Sequence, residues 1–452
     1  TEGIPRADVP LIIRRLPPEG LLPTLIRLFM LGLPVDPAVA ARDLKPLTTE
    51  RLAAMGLVRP GPGGLEPLVK FTPFDTLVLA ADPYHDDPLA VPNDYVAGVN
   101  PSSVSLVSLC VRRPARAGLD LGTGCGVVAL YAARHCDRVV ATDINPRALN
   151  FTAFNAALND IRNVDIRPGS LFEPVAGETF DVIMCNPPYV ISPDSDFQFR
   201  DSGKEGDSLC KTLIRDLPRH LREGGFASVL CNWALRAGQR GSDPVKGWIA
   251  GSECDVLLMH SRTRTPLEYA GDWNRPLLTK HPREHETAID RWTDYFQREG
   301  IEGLASGGVV MRRRSAGRTW VAPEDFPMAS DAATSDQILR IFEARDWLAG
   351  EPDLPAASFR PIEDLEFEQI ASFREGEMVL RETRFTVTRG FKIGGRMDGR
   401  SMAVLGNCDG KRRLGDIVDE LAPAGSPEAK EVRGKLLEGV RRLYAMGLLI
   451  RS

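Results

Sequence analysis

Paired cysteines, long apolar runs and a large net charge are all missing from this 452-residue sequence. Its eight cysteines form no Cys-x-x-Cys pair and no close cluster, which argues against a zinc ribbon and a disulfide framework. No stretch approaches the roughly 20 apolar residues of a membrane span. Residues 1–33 interrupt their apolar positions with arginine and proline, unlike a secretory signal. We therefore expect a cytosolic (cytoplasmic) protein with reduced thiols and no membrane partner.

The charge balance weakly favours a partner other than nucleic acid. The formal net charge is −5, which gives no overall attraction to nucleic acid or anionic lipid. The densest basic run contains Arg312, Arg313, Arg314 and Arg318. Such a run can contact phosphate, but charged residues on a solvated edge strand are the commoner explanation.

Signatures of several other enzyme classes are also missing. The sequence has no Gly-x-Ser-x-Gly elbow and no Gly-x-x-x-x-Gly-Lys-Ser/Thr loop. His281-Pro-Arg-Glu-His285 has the spacing of one metallopeptidase class, but its proline and the lack of an evident third ligand argue against zinc. We expect no metal and interpret this segment as the solvated start of a helix.

A chain of this length favours two or three domains. Residues 1–90 place three short helical patterns before a glycine-rich turn at 61–64 and an alternating apolar stretch to residue 81, an order typical of a winged helix. Such a module reads nucleic acid or docks a protein. The 9 Lys/Arg against 11 Asp/Glu before residue 90 favour docking or a purely structural role.

Residues 91–322 alternate strand-like and helix-like segments, with apolar strand patterns at 117–121, 138–142 and 180–185. This alternation predicts an α/β, Rossmann-like domain: a parallel sheet with helices on both faces.

Residues 323–452 contain a helical pattern at 336–348 and strand-like sequence at 359–391. A final unit combines an Asp-Gly turn, helical patterns at 414–421 and 432–446, and a terminal Gly-Leu-Leu, so it is a second winged-helix candidate. It also resembles the small peptide-binding PqqD-like domain, which implies contact with a protein or peptide.

The heptapeptide Asp120-Leu-Gly-Thr-Gly-Cys-Gly126 lies between a strand pattern and a helical one. Glycine at 122, 124 and 126 permits a sharp turn and lets a ligand lie against the main chain. Asp143 stands 21 positions beyond Gly122, at the end of the second strand, where it can accept both hydroxyl hydrogens of a ribose. Ser170 follows the third strand, where the adenine edge is expected. The loop and Asp143 together predict a nucleoside-bearing cofactor.

Asn186-Pro-Pro-Tyr189 follows the strand pattern at 180–185 and therefore lies at the carboxyl edge of the sheet. The lone pair of an amide or nucleobase NH2 is delocalised, so this group is a poor nucleophile until its hydrogens are held. The Asn186 side-chain oxygen and the Pro187 carbonyl can accept those two hydrogens, while Tyr189 can stack on the planar group. The motif predicts group transfer to a planar nitrogen.

These motifs resemble class I methyltransferases of the release-factor glutamine methyltransferase (HemK/PrmC) and small-domain ribosomal RNA methyltransferase group, over about residues 93–235. The resemblance implies S-adenosylmethionine (SAM) as the cofactor and a neutral thioether as the leaving group, which demands neither metal nor acid. The implied amine-binding residues are Asn186, Pro187 and Tyr189. The implied cofactor-binding residues are Asp120, Gly122, Thr123, Gly124, Gly126, Asp143, Ile144, Ser170 and Asn186.

The resemblance favours a SAM-dependent N-methyltransferase acting on a side-chain amide of a protein or peptide. The alternative target is an exocyclic amine of an RNA or DNA base, flipped or single-stranded, which the arginine run and the winged-helix candidates support. A third hypothesis is a SAM-binding regulator without catalysis, against which the intact Asn-Pro-Pro-Tyr argues. The five-helix bundle of release-factor methyltransferases is not evident, and the residues after 322 have no place in that family. The substrate and the oligomeric state therefore stay open.

Overall fold

The computed structural model describes residues 9–85, 87–194, 198, 200–201, 203–327, 331–423 and 427–452. Its helices are α1 Val9–Arg15, α2 Leu21–Leu25, α3 Pro37–Asp43, α4 Thr49–Ala54, α5 Pro101–Leu109, α6 Val127–Ala132, α7 Pro146–Leu158, α8 Ser208–Asp216, α9 Asp243–Ile249, α10 Pro266–Asn274, α11 Pro282–Arg298, α12 Thr334–Ala349, α13 Gly399–Asn407, α14 Leu414–Leu421 and α15 Pro427–Ala445. Its strands are β1 Val58–Gly61, β2 Gly64–Pro67, β3 Lys70–Phe74, β4 Leu77–Ala81, β5 Ala115–Leu121, β6 Cys136–Asp143, β7 Val164–Pro168, β8 Phe180–Cys185, β9 Leu221–Leu235, β10 Cys254–Arg264, β11 Gly303–Arg313, β12 Val321–Asp325, β13 Phe359–Pro361, β14 Leu365–Arg374, β15 Glu377–Val387, β16 Gly394–Met397 and β17 Leu449–Arg451.

Within the described residues, eight strands form one sheet in the order β12-β10-β11-β9-β8-β5-β6-β7. Strands β7, β6, β5, β8 and β9 run parallel. The expectation of a wholly parallel sheet is wrong at β11, which lies antiparallel between β9 and β10. The alternation of strand and helix patterns carries no information on strand direction, so an inserted antiparallel strand gives the same pattern.

Two apolar layers cover the sheet. Leu106 of α5, Leu130 of α6 and Ala148 of α7 pack on one face, whereas Leu213 of α8 and Ile249 of α9 pack on the other. This arrangement agrees with the expected Rossmann-like fold, because helices that follow successive parallel strands return on either side of the sheet. No helix of the described chain is long and apolar enough to cross a membrane.

The N-terminal helices α2, α3 and α4 precede the hairpin of β1 and β2, whose turn lies between Gly61 and Gly64 as expected. A second hairpin, β3–β4, lies against α7. Asn159, the C-cap residue of α7, binds both the N–H and the carbonyl of Val78 in β4. Asn155 of α7 does the same at Ala80. The two asparagines, one helical turn apart, therefore hold the edge of β4 as a neighbouring strand would.

The C-terminal part packs on the same sheet. Helix α12 contributes Ile341 and Phe342 to the apolar layer that contains α5, and β12 extends the sheet beside β10 across the domain boundary expected at residue 322. Strands β14, β15 and β16 form a separate antiparallel sheet, while β13 pairs with β17. The helical patterns expected at 336–348 and 414–421 fall within α12 and α14, and the one expected at 432–446 ends one residue beyond α15.

The arginine run lies on and after an interior strand, so its interpretation as a charged edge strand is wrong. Arg312 and Arg314 both pair with Asp255, at 2.5 and 2.8 Å, and both pair with Asp346 of α12 at 2.6 Å. Arg313 pairs with Glu253 at 2.6 Å. The Asp255 side chain is fully buried. The run therefore ties β10 and β11 to α12.

Replacing Asp255 with alanine should destabilise the protein by about 3–5 kcal/mol, because two partly buried guanidinium groups lose a fully buried partner. The urea midpoint of unfolding measures this change. Asp243→Ala is the matched control, since Asp243 pairs with Lys246 at the exposed surface, where ion pairs contribute little. Equal midpoints for the two variants would contradict the structural role of Asp255.

Candidate active site

A cavity of about 870 Å³ lies at the carboxyl edge of the sheet, where β5, β6 and β8 end. Asp120, Gly122, Thr123, Gly124, Asp143, Ile144, Ser170, Asn186, Pro187 and Tyr189 all line it. Of the residues expected at the site, Gly126 is the one outside that lining; it is the N-cap of α6, with φ of 85°. A Cβ at Gly126 would meet Thr152 at 3.0 Å, so this glycine serves the close packing of the loop on α7.

The glycine loop leaves open space beside its main chain. Gly122 and Gly124 have φ of 78° and 56°, and a Cβ at either position would meet no atom within 4 Å. Residues that carry a side chain rarely adopt this backbone conformation. The two glycines therefore make the turn and leave room in the cavity for a ligand to lie against it.

Asp143 binds the loop through both carboxylate oxygens. Oδ2 accepts the Gly124 N–H and Oδ1 accepts the Asn145 N–H, each at 2.9 Å. Burial raises the pKa of Asp143, and these backbone hydrogen bonds oppose the rise. Each oxygen keeps a further lone pair, so the carboxylate can still accept ribose hydroxyls. Nearby, Ile144 and Ser170 line the cavity with exposed side chains.

Asp120 lies beneath the same loop. Its Oδ2 accepts the Thr123 hydroxyl at 2.8 Å and the Ala129 N–H at 3.0 Å. Burial raises the pKa of Asp120 to about 7, against these two hydrogen bonds, and the nearby Asp143 charge adds to the rise. A cationic ligand in the cavity would favour its ionised form.

On the acceptor side, Asn186 has one satisfied end and one unsatisfied end. Its Nδ2 donates to the Ser102 hydroxyl at 3.1 Å. Its Oδ1 is buried and has no hydrogen-bond partner among the described residues. Burial raises the pKa of the neighbouring Tyr189, and a hydrogen bond with Ser102 opposes that rise. An unsatisfied oxygen of this kind costs about 1–3 kcal/mol.

Sequence reasoning missed several parts of the cavity wall. The cavity wall also contains Ser102, Trp273 and five residues of the segment before α5: Asn93, Tyr95, Val96, Ala97 and Gly98. Asp82 positions this segment by accepting the Val96 N–H at 2.8 Å and pairing with Arg147 of α7. The Pro-Ser-Ser at 101–103 is typical of a helix start, but it carries no signal that this turn meets residue 186.

The helical pair α10–α11, inserted between β10 and β11, supports the turn after Tyr189. The Tyr269 hydroxyl accepts the Ile191 N–H at 3.2 Å and Asn232 Nδ2 at 2.8 Å. Trp292 Nε1 donates to Asp194 at 2.7 Å. His281 is the N-cap residue of α11, as the helix-start interpretation expected, and its Nε2 lies 2.7 Å from Asp87.

Helix α7 contacts both the glycine loop and the hairpin β3–β4. Besides holding Ala80, Asn155 Nδ2 donates to the Cys125 carbonyl at 2.8 Å. Thr152 donates its hydroxyl to the Gly124 carbonyl at 3.0 Å. The loop conformation therefore depends on contacts that also position β4.

The part of the chain that contains the cavity is similar to known methyltransferases. Residues 96–240 match the family model described as methyltransferase small domain, and residues 3–68 match a domain of unknown function, DUF7059. The release factor glutamine methyltransferase of Xylella fastidiosa is 36% identical over 135 residues, covering 27% of this chain and 48% of that protein. The ribosomal protein uL3 glutamine methyltransferase of Xanthomonas campestris is 33% identical over 184 residues, covering 34% and 56%. Among solved structures, the ribosomal protein L11 methylase from Lactobacillus delbrueckii is 18% identical, with a TM-score of 0.28 over 47% of this chain and 77% of that chain.

The expected resemblance to class I methyltransferases of the glutamine methyltransferase group is confirmed. The matched segment, 96–240, contains the glycine loop, Asp143 and Asn186-Pro-Pro-Tyr189. The chain spans about half the length of the curated relatives it matches. A TM-score this low carries no weight for the fold, which rests on the sheet and its helices.

Asn155→Ala should weaken SAM binding by about tenfold, because the loss of one hydrogen bond to the loop corresponds to roughly 1.4 kcal/mol. Isothermal titration measures the dissociation constant. Asn159→Ala is the matched control. It removes the two hydrogen bonds to Val78 of β4 but no hydrogen bond to the glycine loop. Equal losses in the two variants would show that β4, and not the loop contact, controls binding.

SAM binding should strengthen about tenfold between pH 6 and pH 8, if the cationic ligand requires ionised Asp120 with its pKa near 7. Asp120→Asn should remove this dependence. Without ligand, the stability of the fold changes with pH in the opposite direction to SAM binding. The raised pKa of Asp120 stabilises the fold below about pH 4, and this stabilisation is lost as the pH rises through 7. A flat binding profile for the unmodified protein would contradict the role of Asp120.

Proposed function

We propose that this protein is a SAM-dependent N-methyltransferase that methylates a planar NH2 group, with a side-chain amide of a protein or peptide as its target. The observation that carries this proposal is the buried Oδ1 of Asn186 beyond the end of β8, which has no hydrogen-bond partner among the described residues. It is a hydrogen-bond acceptor held in the cavity wall without a donor. An NH2 group supplies the donor that this oxygen lacks.

The donor half of the cavity fits the cofactor. Gly122 and Gly124 leave space along the main chain, Asp143 keeps lone pairs for ribose hydroxyls, and Asp120 favours a cation. When bound, SAM supplies an electrophilic methyl group and leaves as a neutral thioether. Ser170 and Ile144 line the cavity beyond Asp143 and would border the adenine.

On the acceptor half, Asn186 and Pro187 hold the two hydrogens of the NH2 group. This turns the nitrogen lone pair toward the methyl group, and Tyr189 provides a planar surface beside it. Because Oδ1 is shielded from solvent, the acceptor reaches it only when neighbouring residues move. Return of those residues over the bound acceptor would keep water away from the reacting nitrogen.

A protein amide is favoured over a nucleobase for two reasons. Both reported relatives are named as glutamine methyltransferases. Three of the four arginines that supported a nucleic-acid target form ion pairs within the protein. Arg312 and Arg314 pair with Asp255 and Asp346, and Arg313 pairs with Glu253. The intact Asn186 arrangement argues against a regulator without catalysis.

The flanking regions, expected at 1–90 and 323–452, would present the substrate. The order α2, α3, α4 and hairpin β1–β2 supports a winged-helix interpretation of the first, and α14, α15 and β17 support it for the second. Protein docking fits both better than nucleic-acid reading, given the acidic balance of the first and the PqqD-like pattern of the second. The eight cysteines are buried free thiols, which supports a cytoplasmic location.

Labelled methyl transfer from SAM into a cell extract tests the target. The label should survive nuclease and be lost to protease, and acid hydrolysis should release methylamine from the methylated amide. Label that is lost to nuclease and survives protease would establish the nucleobase target instead.

Asn186→Ala should lower kcat by about 10²–10³-fold, because one hydrogen-bond acceptor of the transition state is removed. SAM affinity should change by less than about twofold. Asn407→Ala, at an exposed helix position, is the matched control and should keep full activity. A fully active Asn186→Ala would refute the assignment of the acceptor oxygen.

A further inference from the structure

A chain of hydrogen bonds runs from the first turn of α5 to the Asn186 side chain. We infer that Asn100 and Ser102 are positioning residues, which fix the Asn186 amide with its oxygen toward the methyl acceptor. This inference rests on the proposed function of Asn186 and extends the site to α5.

The chain begins with Asn100, the N-cap residue of α5. Its Oδ1 accepts the Ser103 N–H at 3.0 Å, and its Nδ2 donates to the Gly98 carbonyl at 3.3 Å. A backbone N–H can only donate and a carbonyl can only accept. Both ends of the Asn100 amide are therefore assigned by main-chain partners.

The Asn100 oxygen then fixes the direction of the Ser102 hydroxyl. Ser102 Oγ lies 2.7 Å from Asn100 Oδ1, and that oxygen can only accept. Ser102 must therefore donate its single hydrogen to Asn100. Its lone pairs alone remain for other neighbours.

The Tyr189 hydroxyl can donate to one of those lone pairs, and Asn186 meets the other. Its amide lies 3.1 Å from Ser102 Oγ, so it must present Nδ2 and turn Oδ1 the other way. The flipped amide would set one acceptor against another and leave Nδ2 buried without its bond. The orientation that leaves Oδ1 without a partner among the described residues is thus set by a serine located 84 positions earlier.

Without Ser102, the two amide orientations of Asn186 become closer in free energy. Fewer molecules then present the oxygen, while the cofactor wall made by Asp143 and the glycine loop is unchanged. The expected signature is a lower kcat with unaltered cofactor binding.

Ser102→Ala should lower kcat about tenfold and leave the dissociation constant of SAM within about twofold. Ser102→Thr keeps the hydroxyl and should restore most of the rate. Ser108→Ala is the matched control, because among the described residues the Ser108 hydroxyl bonds only the Val104 carbonyl of the same helix. In an Asn186→Ala background, Ser102→Ala should have no added effect. Additive losses in kcat would overturn the inference.

A second readout does not depend on activity. In protein labelled with ¹⁵N at asparagine, the Asn186 NH2 signals, identified by their loss in Asn186→Ala, should shift in Ser102→Ala and in Asn100→Gly. Asn100→Gly tests the cap itself, since glycine is also tolerated at N-cap positions. Unchanged signals in both variants would overturn the inference. Shifted signals in a protein that methylates no amide would support the hydrogen-bond chain and refute the proposed function.

Discussion

The hydrogen bond from Asn186 Nδ2 to the Ser102 hydroxyl, 3.1 Å long, connects the end of β8 to the start of α5. It uses the nitrogen of the amide and leaves the oxygen buried, with no donor in the part of the chain that the structure describes. Folded proteins rarely keep such an oxygen, because its desolvation costs about 1–3 kcal/mol. The tertiary structure must stabilise this arrangement elsewhere, and a methyl acceptor with two N–H donors would remove the cost.

The rest of the fold places a cofactor wall beside that oxygen. Since β5 and β8 are adjacent and parallel, the glycine loop after β5 and the turn after β8 meet at one edge of the sheet. Helix α7 holds the loop through Thr152 and Asn155, and α10–α11 hold the turn through Tyr269. Donor and acceptor supports therefore come from different parts of the chain, which lets the acceptor side vary without altering the cofactor side.

Local patterns predicted the elements that carry the site. The apolar run at 180–185 ends at Asn-Pro-Pro, and β8 has the same bounds. The glycines of the loop likewise follow β5, and Asp143 is the last residue of β6. Long-range relations left no such pattern. The antiparallel direction of β11, the addition of β12 to the sheet, and the contact of Ser102 with Asn186 all depend on tertiary packing between distant segments. From sequence alone, Ser102 in a helix-start segment indicates only a capping role.

A crystal structure with S-adenosylhomocysteine and a glutamine-containing peptide would test the central claim most directly. The decisive quantity is the distance from the glutamine amide nitrogen to Asn186 Oδ1. The proposed chemistry predicts a hydrogen bond of about 2.7–3.2 Å, with Nδ2 still bound to Ser102 and the amide nitrogen facing the sulfur. A glutamine bound in the cavity with Asn186 Oδ1 turned away from it would contradict the account.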